Sequence, residues 1–558
     1  FYTISGKLSS NKGTVSYNGL SLDTCLKIES KTKITFTTTD KAELVLVFNQ
    51  KNSSDIKVDG TVYTLTDGIL SLEIEAGSHE ITKESTGNLY YMSVSQQSET
   101  PTTPVTPTEP TQPEQPTTPS EPETPTTPSE PEQTKCDLYV SPSGKSTAAG
   151  TQNAPMDLLT AINSISAGYT IWMEEGTYKA YELYGAPIVI AESNSGAEGA
   201  YKTISSINGG TVTIDFSGMA ELGSNRGIVL DGSYWHFYDI DICNAGDNGM
   251  LLSGDNNIIE LCQFYANHDS GLQISRYKST DNWEDWPSHN LILNCTSYLN
   301  ADAGYEDADG FAAKLTVADG NVFDGCIAAY NADDGWDLFA KVETGAIGQV
   351  VIQNCVAFKN GYALDENGQE VDAGNGNGFK MGGSSISGHH ILRNSVSFGN
   401  KAKGIDSNSC PDIEAYSSTS YNNESFNVAF YTNDAKNTAF IAKGILSFKD
   451  SSNAAGQTVA EQFKPKGTQE TSAYENAMNY YWRGENSTNS EGIAATAEWF
   501  QNMDMNSAIH GGIRRNTDGT INMNGFLAVT SAVPEGVGAR MTGTPSAVFT
   551  VAADVVNN

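Results

Sequence analysis

Apolar and polar positions follow different rules in three stretches of the chain. Residues 1–95 alternate them in short runs, such as Lys33-Ile34-Thr35-Phe36-Thr37 and Ala42-Glu43-Leu44-Val45-Leu46-Val47-Phe48, with Asp59-Gly60 and Asp67-Gly68 as turns. A period of two gives each run one buried and one wet face, which predicts an all-β module, a β-sandwich. Residues 96–135 carry no apolar period and hold more than half of the 19 Pro among Thr, Glu, Gln and Ser. That composition buries no core and predicts an extended, solvated tether. Residues 136–558 form the main domain. It opens with a strand at Leu138-Tyr139-Val140 and a short helix around Met156–Ile165 after Pro155, followed by Ile171-Trp172-Met173 and Gly176-Thr177-Tyr178.

Within the main domain a motif recurs: Cys, then an aromatic residue or Ala three positions on, then Asn two further. It reads Cys262…Tyr265…Asn267, Cys295…Tyr298…Asn300, Cys326…Ala329…Asn331 and Cys355…Phe358…Asn360, and continues with Ser in Ser395…Phe398…Asn400 and Ser418…Tyr421…Asn423. A partial copy is read at Cys243…Asn248. Irregular spacing with a constant motif suits a right-handed parallel β-helix, whose strands are fixed and whose loops vary. Stacked coils lie about 4.8 Å apart, so the Asn residues are expected to form a hydrogen-bonded ladder at one bend. The early helix is expected to cap the open end of the solenoid, an opening that resembles many secreted β-helix proteins. Replacement of Cys by Ser points to a stack of small buried side chains, so Cys262, Cys295, Cys326 and Cys355 are expected to be free thiols. Cys25, Cys136 and Cys410 fall outside the series.

Each repeat goes on with Gly and a large apolar residue: Met250, Leu272, Phe311, Trp336, Phe379 and Ile405. These must point inward, so the following residues, Leu251, Gln273, Ala312, Asp337, Lys380 and Asp406, point outward on successive coils. Asp337 and Lys380, 43 positions apart, become neighbours. Asp309 precedes Gly310, and Asp333 and Asp334 precede Gly335. Stacking brings Asp309, Asp333, Asp334 and Asp337 to one bend. A single Asp there would only fill a turn, but four carboxylates so close need a cation. With no His or Cys beside them, hard oxygens favour Ca²⁺. Lys380, set among glycines, is placed to remove the acidified C5 proton of a uronate whose carboxylate is bound to that cation.

Asp309-Gly310-Phe311, Asn331-Ala332-Asp333-Asp334-Gly335-Trp336-Asp337, Glu343-Thr344-Gly345-Ala346 and Asn375-Gly376-Asn377-Gly378-Phe379-Lys380 resemble polysaccharide lyase family 9, the pectate lyases with a ten-coil type of β-helix. The resemblance covers roughly residues 136–530 and is densest over 305–400. It implies a calcium set of Asp309, Asp333, Asp334 and Asp337 and Lys380 as Brønsted base. The family also holds rhamnogalacturonan lyases, so the resemblance implies β-elimination more firmly than the substrate.

Charge narrows the partners. With 32 Lys and Arg against 67 Asp and Glu, the net charge of −35 argues against nucleic acid or an anionic membrane surface. No run of 18 apolar residues offers a membrane span. The chain begins at Phe1 in a strand-like segment, as a processed secreted protein would, and the expected location is extracellular or cell-surface. The expected partner is an acidic polysaccharide, pectate, bound by a monomer. For the N-terminal module two readings stand: it binds a plant cell-wall glycan, for which Tyr90 and Tyr91 offer sugar-stacking surface, or it is a structural or cell-surface spacer. Arg276, Tyr277 and Trp283, in a long loop after the Gly271 strand, together with Lys314 and Asp406, are further candidates for substrate contact. Two rival functions fit the same fold: a glycoside hydrolase using paired carboxylates, and a calcium-stabilised adhesin without catalysis. The Asp cluster beside Lys380 favours the lyase.

Overall fold

The computed structural model of the protein describes residues 3–96, apart from 6, 10–11, 14, 18–19, 23–24, 39–40, 50–54 and 66–67, and residues 136–541, apart from 366, 434–437 and 451–457, together with 547–550. The predicted tether, but for Gln96, lies outside them. The described residues fall into two compact units, one within Phe1–Thr127 and one within Pro128–Asn558.

Among its described residues, the first unit is a sandwich of two antiparallel five-stranded sheets with a further two-stranded pair, Val15–Tyr17 and Leu20–Leu22. Lys33–Thr38 and Ala42–Phe48 lie in opposite sheets. Their alternation buries Ile34 and Phe36 from one and Leu44, Leu46 and Phe48 from the other. Tyr90 is not the surface aromatic expected from sequence. It is 8% exposed, and its hydroxyl donates to the Lys12 carbonyl at 2.8 Å.

The second unit is a parallel β-helix. Among its described residues, three sheets of 11, 10 and 10 strands begin at Leu138–Val140, Gly176–Lys179 and Ile188–Ile190. The helix Leu158–Ser164 precedes the first full coil, with the Asp157 carboxylate accepting from Thr160 N as its N-cap. None of the described helices is long and apolar enough to cross a membrane.

The Asn ladder is present and unbroken from Asn267 through Asn300, Asn331, Asn360 and Asn400 to Asn423, each amide donating to the next at 2.8–2.9 Å. The residue before each Asn is left-handed: Ala266, Leu299, Tyr330, Lys359, Gly399 and Asn422 have φ between 47° and 59°. For a residue with a Cβ that conformation costs about 1–2 kcal/mol. The Asn more than offsets it. Asn300 Oδ1 accepts from the backbone and the amide of Asn267, while its Nδ2 also reaches Ser297 and Phe264. Each such bond contributes about 1 kcal/mol. The glycines follow from the ladder's closeness: a Cβ on Gly335 would lie 2.6 Å from the Gly378 carbonyl and 2.8 Å from Asn360 Nδ2.

Two features depart from the sequence reading. Cys243 pairs with Tyr265, not Cys262, so the partial copy at Cys243…Asn248 is out of register. The ladder position in that coil is Ala245, whose N–H donates to Asn267 Oδ1. A second ladder, Asn257–Asn290–Asn321, supports another bend. It stops at Val350, whose N–H donates to His390 Nδ1 in the next coil, and burial pushes that imidazole down to about 4. None of the eight cysteines is in a disulfide. Cys262, Cys295, Cys326 and Cys355 are buried with no exposed surface. The small-residue column is itself a ladder: Cys326 N donates to Cys355 Sγ, Cys355 N to Ser395 Oγ and Ser395 N to Ser418 Oγ.

Candidate metal and proton-transfer site

The third sheet carries the inward row Met250, Leu272, Phe311, Trp336, Phe379 and Ile405 in direct register. Trp336 stacks between Phe311 at 5.1 Å and Phe379 at 4.9 Å, so aromatic packing fixes the strand ends at the bend. Trp336 pins Asp337, and Phe379 pins Lys380. The two outward residues pair directly, and Lys380 pairs in turn with Asp406.

Asp309, Asp333 and Asp334 each place a carboxylate oxygen within 4.8 Å of the others. Asp337 joins them through the lysines. Its Oδ2 lies 3.3 Å from Lys380 Nζ and 3.7 Å from Lys314 Nζ. Lys380 Nζ also lies 2.9 Å from Asp334 Oδ2, and Lys314 Nζ 2.7 Å from Asp309 Oδ2. Neighbouring backbone orients the carboxylates. Asp333 Oδ1 accepts from Asn375 N at 2.5 Å, Asp334 Oδ1 from Asn377 N at 2.6 Å, and Asp309 Oδ1 from Asp334 N at 3.2 Å.

The donor set fits a hard divalent cation. All four carboxylates are buried. Two ammonium groups against four carboxylates leave two negative charges. Asp337 Oδ1 and Asn377 Oδ1 are buried without a hydrogen-bond donor, so two oxygens stand ready for a ligand. The excess charge appears as displaced pKa values. Burial, reinforced by Asp337, Asp333 and Asp334 against Lys314, holds the Asp309 carboxyl well above the usual range. Burial and then Asp334 push Asp333 up to about 7. Lys380 moves the other way from a buried amine: desolvation would lower it, but Asp334, Asp337, Asp309 and Asp333 together raise it well above an ordinary lysine. Lys314 is raised for the same reason, chiefly by Asp309 against its own desolvation.

The remaining sequence candidates divide. Lys314 lies in the cluster, as Asp309's partner. Arg276 spends a guanidinium N–H on the Asp281 carbonyl of its own loop. Tyr277 and Trp283 are each 41% exposed, and Trp283 leans on Trp286 at 5.2 Å. Asp406 cannot meet a ligand in this arrangement. It has no exposed surface, and its oxygens are taken by Lys403 Nζ at 2.7 Å and Asn408 N at 2.9 Å. Sequence reasoning missed Asn377 and Lys403. Both were findable as the residues just before Gly378 and Gly404, the row that also holds Asp309 and Asp334.

Comparison with known proteins places the fold. Residues 138–438 match the model of the Pel9A-like right-handed beta helix region, and residues 1–92 that of carbohydrate binding module 77. Pectate lyase L of Paenibacillus polymyxa is 38% identical over 414 residues, 72% of this chain and 85% of that protein. Pectate lyase L of Thermoclostridium stercorarium is 40% identical over 314 residues, covering 56% of this chain and 24% of that protein. The crystal structure of pectate lyase Pel9A superposes with a TM-score of 0.57 at 28% identity, over 76% of this chain and 96% of that one.

Proposed function

The chain belongs to polysaccharide lyase family 9, the Pel9A-like β-helix pectate lyases, and from that premise we propose that it is a calcium-dependent enzyme that cleaves de-esterified homogalacturonan by β-elimination to 4,5-unsaturated oligogalacturonides. The observation that carries the proposal is Lys380 Nζ beside Asp334 and Asp337, in a group of four buried carboxylates with two excess negative charges. Asp309, Asp333, Asp334 and Asp337 would hold the calcium. When bound, calcium supplies the positive charge that holds a uronate carboxylate and makes its C5 proton more acidic. Lys380 Nζ takes that proton in its neutral form, the C5–H electron pair becomes the C4–C5 double bond, and the C4–O bond breaks with its pair leaving on the glycosidic oxygen, which takes a proton from solvent. Lys314 keeps Asp309 oriented, with Nζ 2.7 Å from its Oδ2.

The test is growth of ultraviolet absorbance on polygalacturonate with and without a chelator. The expected result is steady growth that stops on chelation and returns with added calcium. New reducing ends without absorbance would indicate hydrolysis and overturn the reading.

We propose further that residues 1–95 bind plant cell-wall glycan, that 96–135 tether them to the lyase domain, and that the protein acts as a secreted enzyme. A truncated chain beginning near Cys136 is then expected to cleave soluble polygalacturonate at close to the full rate. It should lose activity mainly on insoluble cell wall, where tethering raises the effective concentration. A folded truncated chain that fails on the soluble polymer would contradict independent modules.

A further inference from the structure

Beyond Lys380 the third sheet continues with a coil to which no role has been given. A polymer lying along that sheet meets one coil about every 4.8 Å, so the unit next to the one that loses its proton lies over Ile405–Asp406 and the bend before it. Sequence puts an outward carboxylate there, Asp406, which would repel a uronate. The structure removes that charge from the surface. Asp406 is fully buried, with Oδ2 on Lys403 Nζ at 2.7 Å and Oδ1 on Asn408 N at 2.9 Å. What remains at the bend is the Lys403 ammonium. Its side chain is 21% exposed, and its Nζ lies 5.2 Å from the ring centre of Tyr431, on the following coil.

Lys403 stands in the same row as Asp309, Asp334 and Asn377, since Gly310 N, Gly335 N and Gly378 N donate in turn to the carbonyls of Asp334, Asn377 and Lys403. An ammonium has three donors; Asp406 takes one and the Tyr431 hydroxyl is a second partner, which leaves one for a ligand. The floor at this coil is therefore a fixed cation beside a half-buried aromatic ring, two coils from the carboxylate cluster.

We infer that Lys403 binds the carboxylate of the uronate unit adjacent to the reacting one, with Asp406 as its positioning residue. This deepens the proposed function and rests on it. The contact makes Lys403 a reader of esterification: a methyl ester at that unit offers no charge to the ammonium. A lysine that only neutralises Asp406 would have no such effect.

The experiment compares the full chain with Lys403→Met, Lys403→Arg and the double variant Lys403→Met/Asp406→Asn, which leaves no buried charge uncompensated. Each is assayed on polygalacturonate and on highly methyl-esterified pectin. A charge-assisted contact is worth about tenfold or more. Both Met variants are therefore expected to raise KM on polygalacturonate about tenfold with much less change in kcat, and to narrow the preference over esterified pectin by the same factor. Lys403→Arg is expected to recover most of the loss. An unchanged KM in the double variant, or a KM raised equally on both polymers, would overturn the inference while leaving the lyase reading intact. No unsaturated product from the unaltered protein on either polymer would instead overturn the lyase reading, and the inference with it.

Discussion

Lys380→Ala is expected to lower turnover of polygalacturonate by about 10²–10⁴-fold, the usual contribution of a positioned general base, while calcium and oligogalacturonate still bind. Of the carboxylates proposed to hold calcium, Asp333 and Asp334 do not depend on Lys380 for position, because Asn375 N and Asn377 N orient them from the backbone, and Asp309 is held by Lys314 and by Asp334 N. Lys380→Arg is expected to be nearly as poor, because a guanidinium stays protonated. The sign of the pH dependence follows from the surroundings. Four carboxylates raise Lys380 well above an ordinary lysine despite its burial, and bound calcium opposes them. The neutral fraction is then small at pH 7 and grows about tenfold per pH unit well below the pKa. Turnover of the unaltered enzyme should climb into the alkaline range, and the residual rate of the Arg variant should lose that slope. The measurement is kcat against pH for both proteins, with substrate binding followed in parallel. Near-normal turnover by the Arg variant would leave Lys380 only a substrate contact.

Positions that follow from stacking are legible in the sequence wherever the repeats are aligned on the glycines. Once Gly310, Gly335 and Gly378 are aligned, the period of two in a strand makes Asp337 and Lys380 neighbours, and the paired register bears this out. The Asn ladder was legible because Asn recurs five residues after Cys or Ser. The second ladder carries an equally plain signal, Asn257, Asn290 and Asn321 each five residues before a Cys. The Cys motif as aligned marks only the Asn that follows it, so this second row lies outside the repeat. Cys243 misled because the residue that stacks on Cys262 is Ile240, three positions earlier, and a matching residue type alone does not fix a register. Asp406 and Tyr90 were misjudged for another reason. Outward from the coil, or at the end of an alternating strand, does not mean wet. Lys403 covers Asp406, and Lys12 accepts the Tyr90 hydroxyl. Such covering groups come from loops and bends, which no period predicts.

Asp337→Ala is expected to abolish nearly all calcium-dependent turnover while leaving the β-helix folded. Asp337 is the carboxylate shared by both lysines, with Oδ2 at 3.3 Å from Lys380 and 3.7 Å from Lys314 and with Oδ1 buried and without a donor. Its loss removes one unit of negative charge and an oxygen free for a cation, so the two ammonium groups now face three carboxylates. Both effects oppose calcium. Stability should suffer less than activity, because the aromatic stack through Trp336 and the Asn ladder run past Asp337 without using its side chain. Removing a like charge from a buried group even offsets part of the lost ion pairs. Calcium affinity measured by titration should fall by at least the tenfold that one lost charge-assisted contact represents. In the unaltered protein the same titration should strengthen as pH rises through about 7, where burial and Asp334 hold Asp333, since a proton there competes with the metal. A variant that folds, binds calcium as tightly as the unaltered protein and still turns over would remove Asp337 from the calcium set and leave the triple Asp309, Asp333 and Asp334 to hold the metal.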